Sequence, residues 1–288
     1  MNFFALESDA SDDDLQSAVE RRIARVVDQA NSIADYHLII LYDNLNIARS
    51  DANRIYRTLV KVDPNRPILL VLTSPGGDIP AAYFIAKLCR EHTTGQFEVA
   101  IPREAKSAAT LTCCGADFIH MGSLSELGPI DPLFNGMPAL AVKHSLENLA
   151  EIASLHPGSR AMISDYLSKS LPVNVIGHLE RAAESAAQYA ERLLANRSSP
   201  METTVNAEIA RRLVYDYKDH GFVIDTREAI DIFGETMVKP DTPHYHVANQ
   251  IYEELDLMAF VVRRRFDRHL AFTGAVSGGC IIMRAPDD

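Results

Sequence analysis

Pro67-Ile-Leu-Leu-Val-Leu-Thr-Ser-Pro-Gly-Gly-Asp78 decides the fold. The run from Pro67 to Thr73 is short, apolar and partly β-branched, which marks a buried strand. It ends at once in Ser74-Pro-Gly-Gly77, where two adjacent glycines permit a tight turn and a close backbone approach. Ile79-Pro-Ala-Ala-Tyr-Phe-Ile-Ala-Lys-Leu-Cys89 then has helical spacing. Strand, glycine turn and helix make one unit of an α/β fold, and the turn raises the question of what its backbone approaches.

The same alternation extends in both directions. Upstream, Ser11-Asp-Asp-Asp14 opens a helix carried by Leu15, Val19, Ile23, Val26 and Val27. His37 to Tyr42 reads as a buried strand and Asp51 to Val62 as a helix. Downstream, Phe97 to Ile101 is a strand, Pro102 to Ser107 a loop, Ala108 to Gly115 a small-residue helix and Asp117 to Met121 a strand. This order predicts a largely parallel sheet with right-handed crossovers. From about residue 138 to 213 the chain is nearly all helical and rich in alanine, as in His178 to Leu194. Ser199-Pro-Met-Glu202 reads as a capping box with proline at the first helical position. Thr226 to Phe233 is a capped short helix ending at Gly234, and Ala275 to Met283 holds glycines and a short β-like run. With no internal repeat or linker, one domain is expected over residues 1–288, with a core at about 35–235.

Composition excludes several classes of partner. The formal charge is −11, so nucleic acid is not the expected ligand, because phosphate binding needs a basic surface. No apolar run has the length of a membrane span, and the N-terminal stretch lacks the pattern of a signal peptide. Cys89, Cys113, Cys114 and Cys280 have no disulfide or CxxC spacing and read as buried thiols of a reducing, cytoplasmic compartment. There is no P-loop, and no cofactor or metal is expected. His244 and His246, in Asp241-Thr-Pro-His-Tyr-His246, are too few well-spaced ligands for a metal and read as a surface loop. Arg263 to Arg265 reads as a solvated helix face.

Ligands of open α/β sheets bind at the carboxyl ends of the strands. Two elements meet that rule: Pro75-Gly-Gly77 after one strand, and Lys106-Ser-Ala-Ala-Thr110 after the next. A serine at a helix start beside free backbone N–H groups can act as a nucleophile at an oxyanion hole. The plainer reading of the same residues is a turn and an N-cap. Nothing here matches Gly-x-Ser-x-Gly.

The combination is more specific than either part. Thr73 to Asp78, Ile101 to Leu111, Gly115-Ala-Asp117, His120-Met-Gly122 and Leu127-Gly-Pro-Ile-Asp-Pro132 together resemble the ClpP/crotonase-fold serine peptidases. Within them the likeness is to the serine dehydrogenase proteinases, related to signal peptide peptidase A. It is strong over about residues 66–134 and continues in pattern to about 235, where His220-Gly-Phe-Val-Ile-Asp225 looks like the segment after the catalytic region. The resemblance implies a ClpP/crotonase-like α/β fold with a mostly parallel sheet and a helical C-terminal elaboration. It implies Ser107 as nucleophile, with Gly76, Gly77 and Ala108 at the oxyanion hole and Leu127 to Asp131 as the wall of the site. It also implies a homo-oligomer acting on peptide or protein substrates. The histidine that ClpP carries in the segment corresponding to 123–132 is missing, so a Ser–Lys dyad is the expectation. Lys169 is the preferred base, with Lys143, His144 and His178 as alternatives; Lys106 is expected to point elsewhere. Asp131 is a structural carboxylate or orients a partner. Two other readings share the fold: a crotonase-type enzyme acting on acyl-CoA, and a non-catalytic scaffold.

Overall fold

A computed structural model of the chain describes residues 3–7, 9–43, 45–134, 137–170 and 173–285. Seven strands form its main sheet: β1 (His37–Tyr42), β2 (Ile68–Thr73), β3 (Phe97–Ile101), β4 (Phe118–Met121), β5 (Val238–Pro240), β6 (Arg268–Gly274) and β7 (Cys280–Arg284). Their order across the sheet is β7-β6-β1-β2-β3-β4-β5. β1 to β5 run parallel, while β6 is antiparallel to β1 and β7 to β6.

Among the described residues ten α-helices surround it: α1 (Asp12–Asp28), α2 (Arg49–Leu59), α3 (Ile79–Glu91), α4 (Ala108–Cys113), α5 (Ala139–Leu155), α6 (Arg160–Ser170), α7 (Val173–Ala195), α8 (Thr203–Arg211), α9 (Thr226–Phe233) and α10 (Pro243–Phe266). Alternation along the strands splits the core in two. Ile39, Leu41, Leu70 and Leu72 pack with α2, α3 and α4 on one face. Ile40, Leu69, Val71 and Ala100 pack with α1 and α10 on the other. Both faces are covered, which is why β1 and β2 read as unbroken apolar runs. Each fully buried Leu or Ile contributes about 1.5–3 kcal/mol.

The α/β fold with a largely parallel sheet and a helical C-terminal elaboration, α5 to α8, is as expected. Ser11 and Asp14 form a reciprocal capping box at α1, and Asp225 caps α9, which ends at Gly234 with φ 84°. The Ser199 capping box does not form: α8 starts at Thr203, with Glu202 at the N-cap and no side-chain cap. Asp241 to His246 is not a free loop, because the Thr242 hydroxyl caps α10 and Pro243 opens it. The arm formed by α5, α6 and α7 is tied to the core just beyond the end of α7. Arg90 of α3 and the Ser198 amide both bind the Asp117 carboxylate, at 2.6 and 2.7 Å.

Candidate active site

Ser107 ends the connection between β3 and α4. Glu104 and Ala105 pair with Glu126 and Leu127 on one side. On the other side, the Ser74 amide donates to Glu104 O and the Lys106 amide to Ser74 O, both at 3.0 Å. The two candidate loops are therefore hydrogen-bonded side by side. Ser107 itself has φ 50° and ψ −116°, a conformation that non-glycine residues avoid. Holding it costs about 1–3 kcal/mol, so the surrounding packing must impose it. All of α4 is buried behind it. The Ser107 side chain makes no capping bond, so the plain N-cap role is not realised. No described group hydrogen-bonds its hydroxyl, which is half-buried.

What the glycine turn approaches is Ser107. Gly76 has φ 118°, and a Cβ there would lie 2.8 Å from Ser107 Cβ and 2.9 Å from Lys106 O. Gly77 has φ 137°, and a Cβ there would meet Ile47 O at 2.4 Å and Ile47 N at 2.5 Å. Ile47 clamps the turn, donating its N–H to Gly76 O and accepting from Asp78 N–H at 2.8 Å. The two glycine amides differ. Gly76 N–H donates to Ser74 Oγ at 3.1 Å. The N–H groups of Gly77 and Ala108 have no hydrogen-bond partner among the described residues.

The wall segment is held to the same helix. Gly128 N–H donates to Thr110 Oγ1 at 3.1 Å, and that oxygen lies 2.6 Å from Ala105 O. Leu127 and Ile224 exchange backbone hydrogen bonds of 2.9 and 3.0 Å, adding the 220–224 segment to the wall. The Lys106 side chain crosses Gly128, where a Cβ would lie 2.7 Å from its Cδ. Its ammonium binds Glu126 at 3.1 Å and lies 3.4 Å from the carbonyls of Leu127 and Phe222, so it is committed away from Ser107. Asp131, 3% exposed, accepts from His220 Nδ1 at 2.8 Å.

Lys169 stands on α6 with its side chain 71% exposed, paired with Asp165 at 2.7 Å. His144 is exposed on α5. The side chains of Lys143 and His178 lie outside the described residues. The His220–Asp131 pair is not legible as a pair in the sequence; only the segment His220-Gly-Phe-Val-Ile-Asp225 and the carboxylate of Asp131 point toward it.

Two other groups hold side chains of metal-ligating or nucleophilic type. Glu98, His120 and His244 bring one ligand atom each within 4.8 Å of one another, the only such metal-like trio among the described residues. Both nitrogens of His120 are already bound, Nε2 to Glu98 at 2.6 Å and Nδ1 to the Thr242 hydroxyl at 2.8 Å. The His120 and His244 rings stack at 4.6 Å rather than converge on one point. The trio is a closed hydrogen-bonded network, completed by Tyr36 on Glu98 at 2.8 Å. The cysteines are unpaired and buried, and burial pushes the thiols of Cys89 and Cys114 up to about 12, leaving them inert.

Residues 13–154 match the family model of the ClpP-like SDH-type serine proteinases. Two uncharacterized proteins of Methanocaldococcus jannaschii are similar, one 34% identical over 101 residues (35% of each chain). The other is 32% identical over 96 residues, 33% of this chain and 32% of its own. The match thus spans about a third of these curated relatives. Two solved structures of mutants of a 1510-N membrane-bound stomatin-specific protease, one in complex with a substrate peptide, align with TM-score 0.44 and 14% identity. They cover 87% of this chain and 89% and 94% of their own. No described helix is long and apolar enough to cross a membrane. Over residues 13–154, then, the chain carries a ClpP-like serine-protease family domain.

Proposed function

We propose that this protein is a serine peptidase that cleaves peptide bonds through an acyl-enzyme on Ser107. The observation that carries the reading is the strained backbone of Ser107 pressed against Gly76, with its hydroxyl unengaged. Backbone strain held by a buried scaffold is characteristic of functional positions. In this reading Ser107 Oγ attacks the peptide carbonyl and the N–H groups of Gly77 and Ala108 stabilise the oxyanion. Gly76 supplies the close approach, since its own amide is taken by Ser74. Collapse releases the amine and leaves an ester on Ser107, which water then hydrolyses.

The resemblance assigns the base to Lys169 in a Ser–Lys dyad. A lysine serves as base when it is desolvated. Lys169 would have to leave Asp165 and be covered, by inward movement of α6 or by a second copy of the chain. Leu155, Met162 and Tyr166 stand exposed on the same arm and favour such a homo-oligomer. Buried, unpaired thiols fit a cytoplasmic place of action.

Intact-mass spectrometry after treatment with a fluorophosphonate probe tests the reading. One adduct on the wild type, absent from Ser107→Ala, is the expected result. No adduct on folded wild-type protein would refute an activated serine and leave a scaffold of the same fold or an acyl-CoA enzyme, which an acyl-CoA panel separates.

A further inference from the structure

We infer that Ser74 is a positioning residue for the oxyanion hole: its hydroxyl fixes the peptide that carries the Gly77 N–H. This rests on the serine-peptidase reading and adds a residue to it. Ser74 is fully buried. Its Oγ spans Gly76, accepting from Gly76 N–H at 3.1 Å and donating to Gly76 O at 3.3 Å. That carbonyl accepts a second bond, from Ile47 N–H at 2.6 Å.

The restraint matters because the glycines do not supply it. Gly76 and Gly77, at φ 118° and 137°, carry no Cβ to resist rotation of the peptide between them. In a trans peptide the C=O of Gly76 and the N–H of Gly77 leave opposite edges of one plane. Ser74 and Ile47 hold the carbonyl on one edge, which presents the N–H on the other. Burial follows the same division, with Gly76 buried and Gly77 exposed.

Ser74 also joins this peptide to the nucleophile. Its own N–H and C=O pair with Glu104 O and Lys106 N–H, both at 3.0 Å, in a parallel bridge to Ala105. Ser107 follows directly, and Gly76 lies against it. The backbone of Ser74 therefore sets the spacing of the two loops, and its side chain sets the direction of the donor. Without the hydroxyl, Gly76 O keeps only Ile47 and the buried Gly76 N–H loses its partner. The turn then relaxes toward geometries that satisfy that amide, at the expense of the Gly77 donor.

The test is the rate of fluorophosphonate labelling of the full chain, in which Ser107 Oγ gives up its proton, bonds to phosphorus and expels fluoride while charge builds on the phosphoryl oxygen. Ser74→Ala, folded by circular dichroism, should lower the saturating labelling rate about 10-fold or more, with the half-saturating probe concentration unchanged, because the lost stabilisation belongs to the transition state. Ser74→Thr keeps the hydroxyl and should label near the wild-type rate. Ser74→Cys keeps the volume and weakens both hydrogen bonds, so it should fall between the two and serves where the alanine variant does not fold. Alkylation by iodoacetamide is the control, since it needs a nucleophile at position 107 but no oxyanion hole. In a Ser107→Cys background, Ser74→Ala should leave the alkylation rate unchanged. Wild-type labelling in Ser74→Ala or Ser74→Cys, folded Ser74→Thr as slow as Ser74→Ala, or an equal fall in labelling and alkylation overturns the inference and leaves the peptidase reading standing. Absence of any Ser107 adduct on wild-type protein overturns both.

Discussion

On one face of the sheet Ser107 carries a strained backbone and a hydroxyl with no described partner. On the other face Glu98 and His120, more deeply buried, are held by Tyr36, Thr242 and each other. Glu98 lies on β3 and His120 on the neighbouring β4, and Ser107 lies in the connection between those two strands, yet one cluster is left open and the other closed. Closed buried networks stabilise, whereas unmade bonds and strain mark places where something else must bind or react. That difference is the ground on which the chemistry is proposed at Ser107.

Substitutions can break this comparison, and the largest effect falls on the open face. Ser107→Ala should remove probe labelling and peptide hydrolysis by more than about 1000-fold while the melting temperature stays near wild type. Equal residual activity in purified Ser107→Ala would end the assignment. Gly77→Ala comes next. Its Cβ would strike the backbone of Ile47, so it should cost about 1–3 kcal/mol and lower labelling about 100-fold by displacing an oxyanion donor. Normal labelling in that variant would show that the Gly77 amide is not used.

The closed face should respond in the opposite sense. Glu98→Ala leaves the buried His120 Nε2 without its partner and should destabilise by about 3–5 kcal/mol, read by urea melts, with the labelling rate unchanged in the folded fraction. Burial alone would raise the Glu98 pKa, but hydrogen bonds from His120 and Tyr36 outweigh it and hold the carboxyl below its usual value. A depressed native pKa gives stability that is present above the unfolded pKa and lost as pH falls through the native one. The stability gap between wild type and Glu98→Gln should therefore be widest near neutrality and narrow in acid; a gap that widens in acid would contradict the pairing. The smallest effect sharpens the strain argument. Ser107→Gly should be about 1 kcal/mol more stable than Ser107→Ala, because glycine accepts φ 50° without a steric penalty.

Much of the open face is legible in the residue order, and much of the closed face is not. Pro-Gly-Gly after an apolar run announces a turn with close approach, and Ser107 before Ala108-Ala-Thr110 announces a serine at a helix start. Glu98 sits inside what reads as an ordinary apolar strand, and His120 likewise. Their partners lie far away in sequence, Tyr36 by 62 residues and Thr242 by 122. The same separation hid His220 and Asp131, which are 89 residues apart. The Ser199 box failed for a related reason: Ser198 and Arg197 are pinned to Asp117, so the chain there follows a tertiary anchor and not its local cap.

By itself the sequence determined the parallel α/β sheet, the glycine turn and the candidate nucleophile, because each depends on neighbours in the chain: apolar runs, permissive glycines, helix starts. Only the tertiary structure decided that Gly76 touches Ser107, that its amide is already spent on Ser74, that Lys169 faces outward and that His220 meets Asp131. Those outcomes depend on which side chains packing brings together and which polar groups burial forces to find a partner, and no local pattern encodes that choice.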